Sequence, residues 1–153
     1  MILISMKVKD IMTSEVLSAN PETKVTDVAK IFTENRIHAV PVIENQKVIG
    51  IITESDFFIK GLSNMYLPTY IDFLMKGRAG ENLTEKQKLK IDKLLGSRAE
   101  DIMSTDCFTI SYNAEVSELI DVFREKRLFT LPVVDENNNL IGIVAQADII
   151  KLL

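Results

Sequence analysis

The chain of 153 residues contains one cysteine, one histidine, no tryptophan, four prolines and six glycines. Each shortage removes a class of function. Cys107, alone, cannot form an internal disulfide, a paired-thiol zinc site or a Cys-x-x-Cys redox motif, and the lack of such pairs fits a reducing compartment. His38, alone, excludes histidine clusters, His-Glu zinc signatures and two-imidazole relays, so no metal site is expected. A nucleophilic triad would have to use His38, yet no Gly-x-Ser-x-Gly elbow is present. No catalytic residue is assigned and the chain is read as a non-enzyme. Neither Gly-x-Gly-x-x-Gly nor Gly-x-x-x-x-Gly-Lys-Ser/Thr occurs, so a nucleotide would have to be held in another way. No apolar run approaches the roughly 18 residues of a membrane span, and Met1 to Ile4 is too short for a signal peptide. A cytoplasmic protein without membrane contact is expected. The net charge is −4 and the basic residues are mixed with acids, which argues against nucleic-acid binding.

What is present is a repeat. Asp10-Ile11-Met12-Thr13 returns as Asp101-Ile102-Met103-Ser104, and Val40-Pro41-Val42-Ile43 as Leu131-Pro132-Val133-Val134, both 91 positions later. Gly50-Ile51-Ile52-Thr53-Glu54-Ser55-Asp56 returns as Gly142-Ile143-Val144-Ala145-Gln146-Ala147-Asp148 after 92, so one residue is added in the turn between. Of 49 paired positions, 13 are identical.

In each copy, apolar residues at helical spacing (Val25, Val28, Ala29 and Phe32; then Val116, Leu119, Ile120 and Phe123) predict a helix, with Thr23 as its N-cap in the first. Arg36 and Arg127 are expected to cap the far ends of these helices. Two short apolar runs follow, Ala39 to Ile43 and Val48 to Ile52, whose Val/Ile content favours strands buried on both faces. A final helix runs from Thr53 through Phe57, Phe58 and Leu62. The expected fold is α/β of the α+β type: two pseudo-symmetric strand-helix-strand-strand-helix repeats, 1–60 and 100–153, packed as one module. Between them, 61–99 reads as an inserted helical pair. Pro68 to Lys76 forms one member, and the other opens on the capping box Thr84-Glu85-Lys86-Gln87 and closes at Gly96.

These motifs, in this order and twice, resemble a tandem pair of cystathionine β-synthase (CBS) domains. The resemblance implies two halves related by a pseudo-twofold axis, clefts between the repeats, and a homodimer. It further implies a regulatory module without a cofactor, which binds an adenosine-containing ligand (AMP, ADP, ATP or an S-adenosylmethionine type) and modulates an unidentified partner protein. The alternative is a structural dimerisation or adaptor protein in which one or both sites no longer function.

Carried over by position, the family's Thr-x-x-Asp segment falls on Thr53 and Asp56, with the hydroxyl near phosphate or ribose and the carboxylate on the ribose hydroxyls. A carboxylate suits a vicinal diol because it accepts from both hydroxyls. The same four residues also read as a capping box. In the second copy Ala145 replaces the hydroxyl while Asp148 is kept. The adenine is expected near Val40, Pro41 and Ile52 with Thr13 and Val16 in the first copy, and near Leu131, Pro132 and Val144 with Ser104 and Cys107 in the second. The aliphatic members are equally core candidates. Relatives often carry a basic residue two positions before the proline, where this chain has Ala39 and Thr130. The neighbouring His38 is then the group available to a phosphate or carboxylate.

Overall fold

The computed structural model describes residues 5–57 and 84–153. In chain order these form α1 (Val25–Asn35), β1 (Ala39–Glu44), β2 (Lys47–Thr53), α2 (Glu85–Leu95), α3 (Ala99–Ile102), β3 (Ile110–Ser111), α4 (Val116–Lys126), β4 (Thr130–Val134), β5 (Leu140–Ala145) and α5 (Gln146–Ile150), with 3-10 turns at Val8–Asp10 and Glu54–Phe57. β1 and β2 make one sheet and β3-β4-β5 another, an α+β architecture. Phe58, Leu62 and the Pro68 to Lys76 helix lie outside the described residues.

The chain folds into two compact units that do not follow sequence order. One, the Asp148 unit, comprises Met1–Leu17, Ile43–Ile49 and Asp106–Leu153; the other, the Asp56 unit, comprises Ser18–Val42 and Gly50–Thr105. The opening motif of each repeat therefore sits with the strands of the other. Thr13 bridges Ile143 through two 2.9 Å main-chain bonds, and Ser104 bridges Ile51 through bonds of 2.9 and 3.0 Å. The glycines explain the fit. A Cβ on Gly142 would stand 2.5 Å from Met12 Sδ, and one on Gly50 would stand 2.5 Å from Met103 Sδ. The two recurrent motifs are thus the two sides of one contact.

In the Asp148 unit, β3 runs parallel to β4 and β4 antiparallel to β5, with Leu131 opposite Val144 and Pro132 opposite Ile143. Leu119 and Phe123 of α4 close over Leu131, Val133 and Val144, with Val8 and Ile110 in the same core. In the Asp56 unit, Val25, Val28, Ala29 and Phe32 of α1 are buried with Val40, Val42 and Ile52. Phe32 meets Phe57 edge to face at 5.2 Å. Here the first strand shrinks to one parallel bridge, Ala19 to Val42, equivalent to Ile110 opposite Val133. β1 and β4 are mostly buried on both faces as expected, whereas β2 and β5 alternate.

The capping box of α2 forms, Thr84 Oγ1 accepting from Gln87 N at 3.2 Å and Gln87 Oε1 from Thr84 N at 2.9 Å. Its apolar side packs on α1 and buries Ile91. Thr23, by contrast, does not cap α1: its hydroxyl accepts from Asn20 N, and Lys24 holds the N-cap position. The helix is capped from elsewhere in the unit. Val25 N donates to Ser97 O (3.0 Å), as Val116 N donates to Met6 O (2.9 Å) in the Asp148 unit. Both αL caps fall on arginine. Arg36 (φ 51°) and Arg127 (φ 54°) adopt the left-handed conformation favoured by glycine, whereas Gly96 ends α2 at φ −84°. The arginines cap through the backbone turn.

Candidate functional site

Four aspartates occupy the last position of four-residue turns, and each accepts the main-chain N–H three residues back. Asp10 takes Lys7 N (2.9 Å), and Asp56, Asp101 and Asp148 take Thr53 N, Arg98 N and Ala145 N (2.8 Å each). The hydrogen bonds match but the surroundings do not. Asp10 and Asp101 are exposed, whereas Asp56 and Asp148 are half-buried, the Asp148 side chain to 16% exposure. Burial pushes the Asp56 carboxyl above its ordinary value, against the opposing pull of the Thr53 main-chain N–H and hydroxyl. Capping alone is done equally well by an exposed carboxylate, so the burial of these two needs a further reason. One main-chain bond also leaves most of a carboxylate's acceptor capacity unspent.

At the Asp56 corner, Thr53 Oγ1 lies 2.8 Å from Ser55 Oγ, and His38 Nδ1 lies 3.3 Å from Glu54 Oε1. Phe57, fully buried, anchors the turn. At the Asp148 corner, Ala145 supplies no hydroxyl, yet its N–H is still taken by Asp148. Retention of the acid there is accounted for by a one-way cap. Lys151 Nζ lies 3.5 Å from Asp148 Oδ1.

The residues expected at a site group by unit rather than by repeat. His38, Ala39, Val40, Pro41, Ile52, Thr53, Asp56 and Ser104 belong to the Asp56 unit; Thr13, Val16, Cys107, Thr130, Leu131, Pro132, Val144 and Asp148 belong to the other. Thr13 and Val16 therefore lie with second-copy strands, and Ser104 with first-copy strands. Val40, Ile52, Leu131 and Val144 are at most 1% exposed, so their side chains are spent in the core. Ala39, Pro41 and Pro132 are also buried. Thr13, His38 and Ser104 are exposed, while Val16, Thr53, Cys107 and Thr130 are half-buried. Burial raises the Cys107 thiol and Asp106 adds to the effect, which keeps it protonated and unreactive.

One residue beside the second corner was not among those expected. Phe129 is 72% exposed and stands where His38 stands in the first copy, as Gln146 stands for Glu54. The repeat offsets, 91 residues for Phe129 and 92 for Gln146, mark both once the site is known. Among the described residues no group of three His, Cys, Asp or Glu side chains could hold a metal, and no helix is long and apolar enough to cross a membrane.

Comparison with known proteins finds the same two repeats. The CBS domain family profile matches twice, over residues 8–61 and 99–153. The uncharacterised protein MJ1232 of Methanocaldococcus jannaschii is 26% identical over 149 residues, covering 97% of this chain, and the chain spans 40% of that relative's length. Among solved structures, CBSX2 of Arabidopsis thaliana in complex with AMP superposes with a TM-score of 0.69 at 23% identity, over 97% of this chain and 96% of that one. The CBS domain pair of protein MJ0100, in complex with 5′-methylthioadenosine and S-adenosyl-L-methionine, superposes with a TM-score of 0.66 at 22% identity, over 96% and 94%.

Proposed function

Because this chain belongs to the CBS domain family, we propose that it is a regulatory ligand-sensing module, each unit binding an adenosine-containing ligand at its aspartate corner. Asp56 and Asp148 accept the two ribose hydroxyls, and Thr53, Ser104 and Thr13 supply polar contacts beside them. The observation that carries this reading is the burial of two out of four otherwise identical capping carboxylates. Desolvating an anion is unfavourable, and a diol that donates two charge-assisted hydrogen bonds offsets that cost on binding. The ligand-bound CBS pairs of similar fold support the ligand class. The module works as a homodimer and passes ligand occupancy to a partner protein, which requires the ligand to bind two arrangements with different affinity.

The test is thermal unfolding with saturating AMP, ADP, ATP, S-adenosylmethionine or 5′-methylthioadenosine. A ligand at about 100 times its Kd adds about 2.7 kcal/mol, or several degrees at this chain length. Asp56→Asn with Asp148→Asn keeps an acceptor for each capping N–H but removes both charges. The expected result is loss of the ligand-induced shift in this double variant with its unliganded melting temperature largely kept. No shift in the wild type with any of the five would move the reading to a structural adaptor. Light scattering with and without ligand reads the oligomeric state.

A further inference from the structure

The two corners keep the same carboxylate among different neighbours. Across the repeat, His38 corresponds to Phe129, Thr53 to Ala145, Glu54 to Gln146 and Ser55 to Ala147. Each polar or ionisable side chain beside Asp56 is replaced, beside Asp148, by a methyl, a phenyl or a neutral amide. The replacements act together. Gln146 turns its amide to Leu128 O at 2.8 Å, and its main-chain N–H donates to Phe129 O at 2.9 Å. That bond fixes the Phe129 backbone against the start of α5 while the side chain is left in solvent, 72% exposed. A phenyl ring left in solvent contributes little to the core, and its main chain is tied to the turn that carries Asp148.

We propose that the Phe129 corner is selective for a nucleoside whose substituent is uncharged and apolar, such as an alkyl thioether, and that Phe129 is its specificity-determining residue. This rests on the ribose-binding reading of Asp148 given above. A phosphate placed here meets Ala145 and Ala147 where the other corner has Thr53 and Ser55, and it must approach the Asp148 charge. The ammonium of Lys151 is already engaged with that carboxylate. Polar groups taken out of water without a partner lose binding energy. A methylthio group has no such demand, covers the exposed ring and makes a favourable sulfur–aromatic contact. At the other corner the Thr53 and Ser55 hydroxyls, which share one hydrogen bond, leave a donor for a polar substituent, and His38 stands paired with Glu54.

The experiment is titration calorimetry of the full chain with 5′-methylthioadenosine and with AMP. Asp56→Asn isolates the Phe129 corner, and Asp148→Asn isolates the other. With Asp56→Asn the thioether is expected to bind at least tenfold tighter than AMP, and with Asp148→Asn that preference is expected to vanish or reverse. Phe129→His added to Asp56→Asn should shrink the ratio about tenfold; because the residue is exposed, its melting temperature should stay at that of the parent variant. Equal ratios at the two corners, or a ratio indifferent to Phe129→His, would overturn the proposal and leave the ribose reading standing. Failure of both ligands to bind the wild type would overturn this proposal, and failure of all five ligands named above would overturn the ribose reading with it.

Discussion

The Asp56 and Asp148 units repeat one another down to single main-chain hydrogen bonds and part company at their corners. Ala99 N to Thr23 O (2.8 Å) in one is Val8 N to Ala114 O (2.9 Å) in the other, although neither residue pair is conserved between copies. Main-chain bonds ask nothing of the side chain, so they survive drift. Positions where volume decides, such as Gly50 and Gly142 under Met103 and Met12, are identical in both copies. The corner side chains answer to neither constraint. The two corners are therefore free to differ where the rest of the repeat is not.

Anchoring of the corners differs most, and should give the largest effect. Phe57 is fully buried against Phe32, whereas Ile149, its equivalent, is only partly buried at the edge of its core. Phe57→Ala is expected to cost about 3–5 kcal/mol through lost transfer energy and a residual cavity. Ile149→Ala should cost less than half as much. Urea unfolding of the two variants checks the ratio, and equal losses would mean that the corners are anchored alike.

A smaller effect probes the exchange of opening motifs. Gly142→Ala forces Met12 to move, at about 1–3 kcal/mol, and Gly50→Ala does the same to Met103. Rescue should be crossed: Met12→Ala should relieve Gly142→Ala and leave Gly50→Ala unrelieved, with Met103→Ala behaving the opposite way. Double-variant cycles read by denaturant midpoint would detect this.

That exchange is what the sequence could not show. Met12 on Gly50 and Met12 on Gly142 are the same residue pair, so a self-similar chain carries no signal for which copy each motif joins. The repeat, the strands and the α2 capping box were legible because each is written in local pattern. The cap of α1 was not, since Ser97 O is a backbone atom brought in from far along the chain. Thr23 has the right chemistry for a cap and is used in the preceding turn instead. Asp56 and Asp148 were legible as residues, but their burial, which separates them from Asp10 and Asp101, is a tertiary property.

Titration separates two aspartates with opposite signs. Burial raises Asp56, so its contribution makes folding less favourable as pH climbs from its ordinary value near 3.8 through the raised folded value. Asp135 is lowered, chiefly by the main-chain N–H of Asn139, so its contribution is present above 3.8 and is lost as pH falls through the folded value. The stability difference between wild type and Asp56→Asn should therefore shift in favour of the wild type on acidification from neutral pH. The difference between wild type and Asp135→Asn should shift against it.

The smallest effect tests where the units are alike. Arg36 and Arg127 both sit in the left-handed region, which is unfavourable for any residue with a Cβ and open to glycine. Arg36→Gly and Arg127→Gly should relieve that strain, partly offset by the greater freedom of glycine in the unfolded chain, for a net gain of about 0.5–1 kcal/mol each. Both arginines are exposed at helix ends, where their charges favour the helix dipole by a few tenths of a kcal/mol. The expected result is an equal, small rise in melting temperature for the two variants, additive in the double. A loss at one position only would show that its guanidinium does work there that the other does not, and would carry the difference between the corners back into the helices that lead to them.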